Sequence, residues 1–209
     1  MTTARLTDFT NTKELSMKKL YFNYGTMGSS KSAQALMCKF NYEHKGMKVM
    51  LAKPALDNRG DVDGPKVRSR IGLVADCLTI TPDQSFIDMF EEYKKQHGCD
   101  CIIVDEAQFC TTEHINQLKQ LSKQVSVLCY GLLTDFHCKL FEGSKRLVEL
   151  ADSLREIKSV CRCGRKSTVN ARFVDGKCVD DGPIVLIGGD ESYENMCYWC
   201  WQEELKKSK

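Results

Sequence analysis

The stretch YFNYGTMGSSKS, residues 21–32, constrains this chain more than any other. A short apolar-aromatic run (residues 18–24) stops at Gly25, as a strand would. A glycine-serine turn then leads into apolar residues at helical spacing, Ala33, Leu36, Met37 and Phe40, and Gly46 closes the segment. From Gly25 to Ser32 the turn follows the phosphate-loop pattern G-x-x-x-x-G-K-[ST], except that Ser30 stands where the pattern asks for glycine. Such a loop holds polyphosphate because successive backbone N–H groups converge at the start of a helix, where the dipole also favours anions. Lys31 is placed for the β- and γ-phosphates and Ser32 for a magnesium ion; Thr26, Met27, Gly28 and Ser29 complete the cradle. Ser30 adds only a hydroxymethyl group and is expected to fit provided its φ stays negative.

Downstream, the order of elements supports an α/β fold. Val49–Ala52 reads as a second strand, and residues 57–70, DNRGDVDGPKVRSR, as a long mobile loop. Thr81-Pro82-Asp83-Gln84 reads as a helix start with Thr81 as cap, and Phe86, Phe90 and Tyr93 line the face that follows. Residues 99–105, CDCIIVD, form a near-continuous apolar run, the mark of a strand buried on both faces. A helix with Ile115, Leu118 and Leu121 follows, then a strand over 125–131 and a helix over 140–151. Strands alternating with helices predict a parallel sheet. Asp105, at the end of its strand, is placed to support a metal on the phosphates, with Glu106 a second carboxylate facing the same cleft.

From about residue 159 the texture changes to cysteines, glycines and short strands. Cys161 and Cys163 form a C-x-C pair and Cys197 and Cys200 a C-x-x-C pair, a spacing suited to a structural tetrahedral zinc ion with no open position. Cys178 falls between the pairs and reads as a loop thiol. Cys38, Cys77, Cys99, Cys101, Cys110, Cys129 and Cys138 lie in apolar segments and read as small core residues. Twelve cysteines without a secretory pattern point to a reducing, cytoplasmic compartment. The domain reading is a flexible extension over 1–16, a nucleotide-binding domain over 17–158, a zinc module over 159–203 and a polar tail over 204–209. No apolar run is long enough to span a membrane. A net charge of +2 without a basic stripe argues against nucleic acid as partner, as do Asp175, Asp180, Asp181, Asp190, Glu191 and Glu194 in the zinc module.

The phosphate loop, DEAQF at 105–109, GLLTDF at 131–136, the paired cysteines and IGGDESY at 187–193 together resemble the zinc-containing class of thymidine kinases, over residues 18 to about 203. The resemblance implies a RecA-like parallel sheet with helices on both faces and a zinc-binding lasso. It implies transfer of the ATP γ-phosphate, with magnesium, to the 5′-hydroxyl of thymidine or deoxyuridine, inhibition by dTTP, and a homotetramer. On this basis Glu106 is the general base; Asp57 and Arg59 lie near the phosphates, and Asp105, Ala107 and Gln108 border the ATP site. Phe109, Leu132 and Phe136 line the nucleoside pocket. Ile184, Val185, Leu186, Ile187 and Gly188 hold the base through backbone groups, with Tyr193 reaching the sugar. Asn170 stands where a pocket threonine is expected. A helicase-like motor, suggested by DEAQ, needs a second motor domain for which 209 residues leave no room. A DNA-binding zinc ribbon would call for a basic module.

Overall fold

The computed structural model describes residues 18–57, 64–182 and 193–208. Its strands are β1 (Leu20–Tyr24), β2 (Val49–Pro54), β3 (Lys66–Arg68), β4 (Val74–Asp76), β5 (Leu78–Ile80), β6 (Cys101–Val104), β7 (Ser126–Gly131), β8 (Ser153–Glu156), β9 (Val169–Val174), β10 (Lys177–Val179) and β11 (Tyr193–Met196). The helices are α1 (Lys31–His44), α2 (Phe86–His97), α3 (Thr112–Leu121), α4 (Glu142–Leu150) and α5 (Tyr198–Ser208). Six strands form one parallel sheet in the order β5-β2-β6-β7-β1-β8.

Two apolar layers cover the sheet, which explains why its central strands carry side chains buried on both sides. On one face Phe22, Ile102, Val104 and Val127 pack with Phe86 and Phe90 of α2, Ile115 and Leu118 of α3 and Leu147 of α4. On the other, Leu51, Ile103 and Tyr130 pack with Ala35 and Leu36 of α1 and with Val67 of β3. The C-terminal ends of β1, β6 and β7 consequently open on one edge, the place where open α/β sheets bind ligands. A separate small core of Val169, Ala171, Cys178, Met196, Trp201 and Leu205 joins α5 to the three-stranded sheet β10-β9-β11.

Several local expectations shift. Helix α2 starts at Phe86 with Ser85 as cap, whose hydroxyl accepts from the Ile87 and Asp88 N–H groups. Thr81–Gln84 closes on itself as a turn instead: Gln84 N donates to Thr81 O and Thr81 N to Gln84 Oε1. The expected loop over 57–70 contains β3, which pairs antiparallel with β4. β8 adds a sixth parallel strand that the sequence pattern did not reveal. Met37 and Phe40 of α1 are 54% and 65% exposed instead of facing the core. Cys178 is buried on β10, not a loop thiol, and Cys138 is exposed in a loop. Leu205 belongs to the small core and α5 runs on to Ser208, so residues 204–208 are helix and not a tail. The extension over 1–16 lies outside the described residues.

Candidate active site

The loop from Gly25 to Ser32 joins β1 to α1. A Cβ on Gly25 would lie 2.5 Å from Ile157 O and from Ser29 Oγ, so only glycine fits where the loop leaves the sheet. Thr26 and Ser29 are buried, and Ser29 N closes a turn onto Thr26 O. Lys31 is buried as well, with Nζ donating to Thr26 O at 2.8 Å, which folds its side chain back over the loop. Gly28 has φ +73°. Ser30 departs from expectation: its φ is +68° and ψ +24°, in the left-handed region, and its side chain makes no capping bond. The physical cause is the tight entry into α1, where Gln34 N already bonds Ser30 O. The loop keeps the backbone path of the glycine version and the serine carries the strain.

The acid pair follows β6, one strand removed from the loop. Asp105 is 4% exposed, and its Oδ1 has no hydrogen-bond partner among the described residues. Burial, reinforced by the adjacent Glu106 charge, pushes the Asp105 carboxyl up to about 7, against the Ser32 hydroxyl and Lys31, which draw it down. A buried carboxylate oxygen with an open lone pair beside the Ser32 hydroxyl is a donor set that fits a hard divalent cation. Glu106 sits at φ +51°, a strained conformation for this residue type that aims its partly exposed side chain out of the strand end. Gln108 Nε2 donates to Glu106 Oε2 at 2.5 Å, while Gln108 Oε1 accepts from Leu132 N at 3.0 Å. Gln108 and Ala107 are both buried, and of the two it is Gln108 whose amide holds the Glu106 carboxylate.

The third strand end, β7, leads into residues 131–141. Ser144 Oγ donates to Leu132 O, and Asp135 Oδ1 accepts from the His137 and Lys139 N–H groups, which makes this a fixed turn. Phe109 is half-buried and meets Phe141 edge-on. Phe136 is buried, roofed by the Arg172 guanidinium 5.0 Å from its ring centre. Tyr193 pairs with Arg172 across β11 and β9 and is half-buried. Asp57 Oδ2 lies 3.7 Å from buried Lys53 Nζ. Arg59 and Ile184, Val185, Leu186, Ile187 and Gly188 lie outside the described residues.

Cys161, Cys163, Cys197 and Cys200 converge, with all four sulfurs within 4.8 Å of one another and Cys163 Sγ 3.6 Å from Cys197 Sγ. Sulfurs around a tetrahedral zinc stand about 3.8 Å apart. The Cys200 N–H, at the start of α5, holds the Cys197 thiol down to about 6, while hydrogen bonding to Cys163 and Cys197 pushes Cys200 up to about 12. Four thiolates so close need a cation to replace the shared protons, and the chemistry of the set suits zinc.

Three residues reach the loop from elsewhere: Asn170, which the sequence placed at a pocket position but not against the loop, and Asn195 and Arg70, which it did not mark as site residues. Asn170 Oδ1 accepts from Met27 N at 2.8 Å, so its side chain contacts the phosphate loop. Asn195 Nδ2 donates to Ser159 Oγ, which in turn meets Thr26 Oγ1. Arg70, at the tip of the β3–β4 hairpin, brings Nη1 to 3.6 Å from where a Cβ on Gly28 would stand. Each reaches the loop from a distant part of the chain, and for Asn195 and Arg70 only polar residue type could have hinted at it.

A parallel α/β sheet with this loop after β1 and an acid pair after β6 defines the phosphate-loop class of proteins. Residues 18–201 match the thymidine kinase family. The thymidine kinase of Enterobacteria phage T4 is 42% identical over 194 residues, covering 91% of this chain and 99% of the relative. That of Agrobacterium fabrum (strain C58 / ATCC 33970) is 40% identical over 198 residues, covering 92% of this chain and 100% of the relative. The chain belongs to the thymidine kinase family. Among solved structures, Pif1 helicase from Candida albicans aligns over 71% of this chain and 38% of its own at 14% identity and a TM-score of 0.39, a likeness too low to bear on function.

Proposed function

We propose that this protein is a thymidine kinase that transfers the γ-phosphate of ATP to the 5′-hydroxyl of thymidine or deoxyuridine. The observation that carries the reading is Glu106. It is a carboxylate at the end of β6, held by Gln108, which also bonds Leu132 at the start of the turn bearing Phe136, and it lies on the same sheet edge as the phosphate loop. In the reaction the 5′-oxygen forms a bond to the γ-phosphorus as the bond from that phosphorus to the β–γ bridging oxygen breaks, which releases ADP. Glu106 takes the 5′-hydroxyl proton, and Lys31 with the loop N–H groups stabilises the charge on the transferred group. Magnesium, held through Ser32 and supported by Asp105, would neutralise the phosphate oxygens. Zinc on Cys161, Cys163, Cys197 and Cys200 would brace the small module without taking part in chemistry.

Asp57 and Arg59 beside the phosphates, Phe109, Leu132 and Phe136 around the nucleoside, backbone contacts from Ile184 to Gly188 and a Tyr193 contact to the sugar belong to the same reading. So do inhibition by dTTP and a cytoplasmic setting, in which metal-binding thiols stay reduced. Assembly as a homotetramer belongs to the same reading, and Met37 and Phe40 on α1 beside Leu73 and Val74 offer an exposed apolar surface for contact between copies. The test is 5′-monophosphate formation with Mg-ATP and the four deoxynucleosides plus deoxyuridine. Product confined to thymidine and deoxyuridine is expected; product from none of them, by zinc-loaded folded protein, overturns the reading.

A further inference from the structure

Asn170 is 3% exposed and lies on β9, the middle strand of the zinc module's sheet, between buried Val169 and Ala171. Its amide works in two directions. Oδ1 accepts from Met27 N at 2.8 Å, the third residue of the phosphate loop, and Nδ2 donates to Thr134 O at 2.9 Å, two residues before Phe136. One planar group on a rigid strand therefore touches both the loop that holds phosphate and the turn on the nucleoside side. Both bonds are partly buried and the Asn170 side chain itself is buried, so an amide group that loses its partner there is costly.

We propose that Asn170 is a positioning residue that couples the two halves of the site, so that each ligand tightens the binding of the other. A polyphosphate that orders the loop fixes Met27 N and with it the plane of the Asn170 amide. That plane then presents Nδ2 squarely to Thr134 O and holds the turn, whose Asp135 bonds and Thr134–Leu140 bridge make it move as a unit. The same chain of contacts runs backwards from nucleoside to loop, as linkage requires. Asn195, which faces Asn170 across the β9–β11 pair, bonds Ser159, Val160 and Ser167 and reaches the loop separately, through Ser159 and Thr26. The inference rests on the nucleoside kinase reading for the identity of the two ligands.

The experiment is isothermal titration of the full, zinc-loaded chain with the magnesium complex of the non-hydrolysable β,γ-imido analogue of ATP. It is run with and without saturating thymidine, and then with the two ligands exchanged. The wild-type protein is expected to bind each ligand about fivefold more tightly when the other is present, the ratio one neutral hydrogen bond sustains. Asn170→Ala is expected to bring that factor close to one while zinc content stays at the wild-type level. Asn170→Asp keeps the acceptor for Met27 N but removes the donor to Thr134, and should lose the coupling as well. Ser208→Ala, which removes the acceptor for Cys178 N elsewhere in the same small module, should keep it. Full coupling in both Asn170 variants, no coupling in the wild type, or equal loss in Ser208→Ala overturns the proposal. Failure of the wild type to bind thymidine or the analogue at all overturns the kinase reading instead.

Discussion

Replacing Ser30 by glycine tests how the phosphate loop is built. At φ +68° an L-residue pays about 1–2 kcal/mol for the contact between its Cβ and the neighbouring carbonyl. Glycine escapes that cost but loses more backbone freedom on folding, about 0.5–1 kcal/mol. The Ser30 hydroxyl caps nothing, so no polar contact is sacrificed. Ser30→Gly should therefore stabilise the protein by about 0.5–1 kcal/mol, and at ~2–4 °C per kcal/mol for a chain of this size its Tm should rise by roughly 1–4 °C. Ser30→Ala keeps the Cβ and the strain and should leave Tm within about 1 °C. Thermal melts of the three proteins, alongside titration with Mg-ATP, are the assay. Since the loop already follows the glycine-like path, nucleotide affinity should stay within about threefold across the set. A Tm that falls in Ser30→Gly, or an equal gain in Ser30→Ala, would refute the assignment of strain to this φ.

Three further outcomes follow from the site. Burial lifts the Asp105 carboxyl to about 7, above its ordinary value, so the proton stabilises the nucleotide-free fold. That contribution is complete below about pH 4 and is lost as pH rises through about 7; Asp105→Asn should melt above the wild type by a margin that widens from pH 5.5 to pH 8, and a constant margin would contradict it. Glu106→Gln should keep ATP binding and lower kcat by about 10²–10⁴-fold in the phosphorylation assay, whereas near-normal turnover would place the base elsewhere. Cys197→Ser should drop bound zinc from about one per chain to near none by elemental analysis, and an unchanged metal content would remove the four-thiol assignment.

Much of this protein is legible in the order of its residues, because the features concerned are local. The central strand Cys101–Val104 is apolar throughout since both faces are covered, and the loop from Gly25 to Ser32 announces itself by small residues before a lysine. The acid pair directly follows its strand, and each cysteine pair sits on a single short turn. Such patterns follow from covalent geometry and side-chain period, and need no knowledge of what lies across the molecule. The tertiary structure decided the rest. Ser30 takes a left-handed φ because the entry into α1 demands it, and Glu106 takes one at the end of β6. Phe136 goes under Arg172, and Met37 and Phe40 turn outward because the sheet is already covered by Ala35 and Leu36. Asn170 meets both Met27 and Thr134, partners 143 and 36 residues away, through bonds that exist only once the zinc module's sheet lies against the loop. No local pattern encodes a contact of that separation, since it depends on how whole elements pack and not on the preferences of the residues that make it.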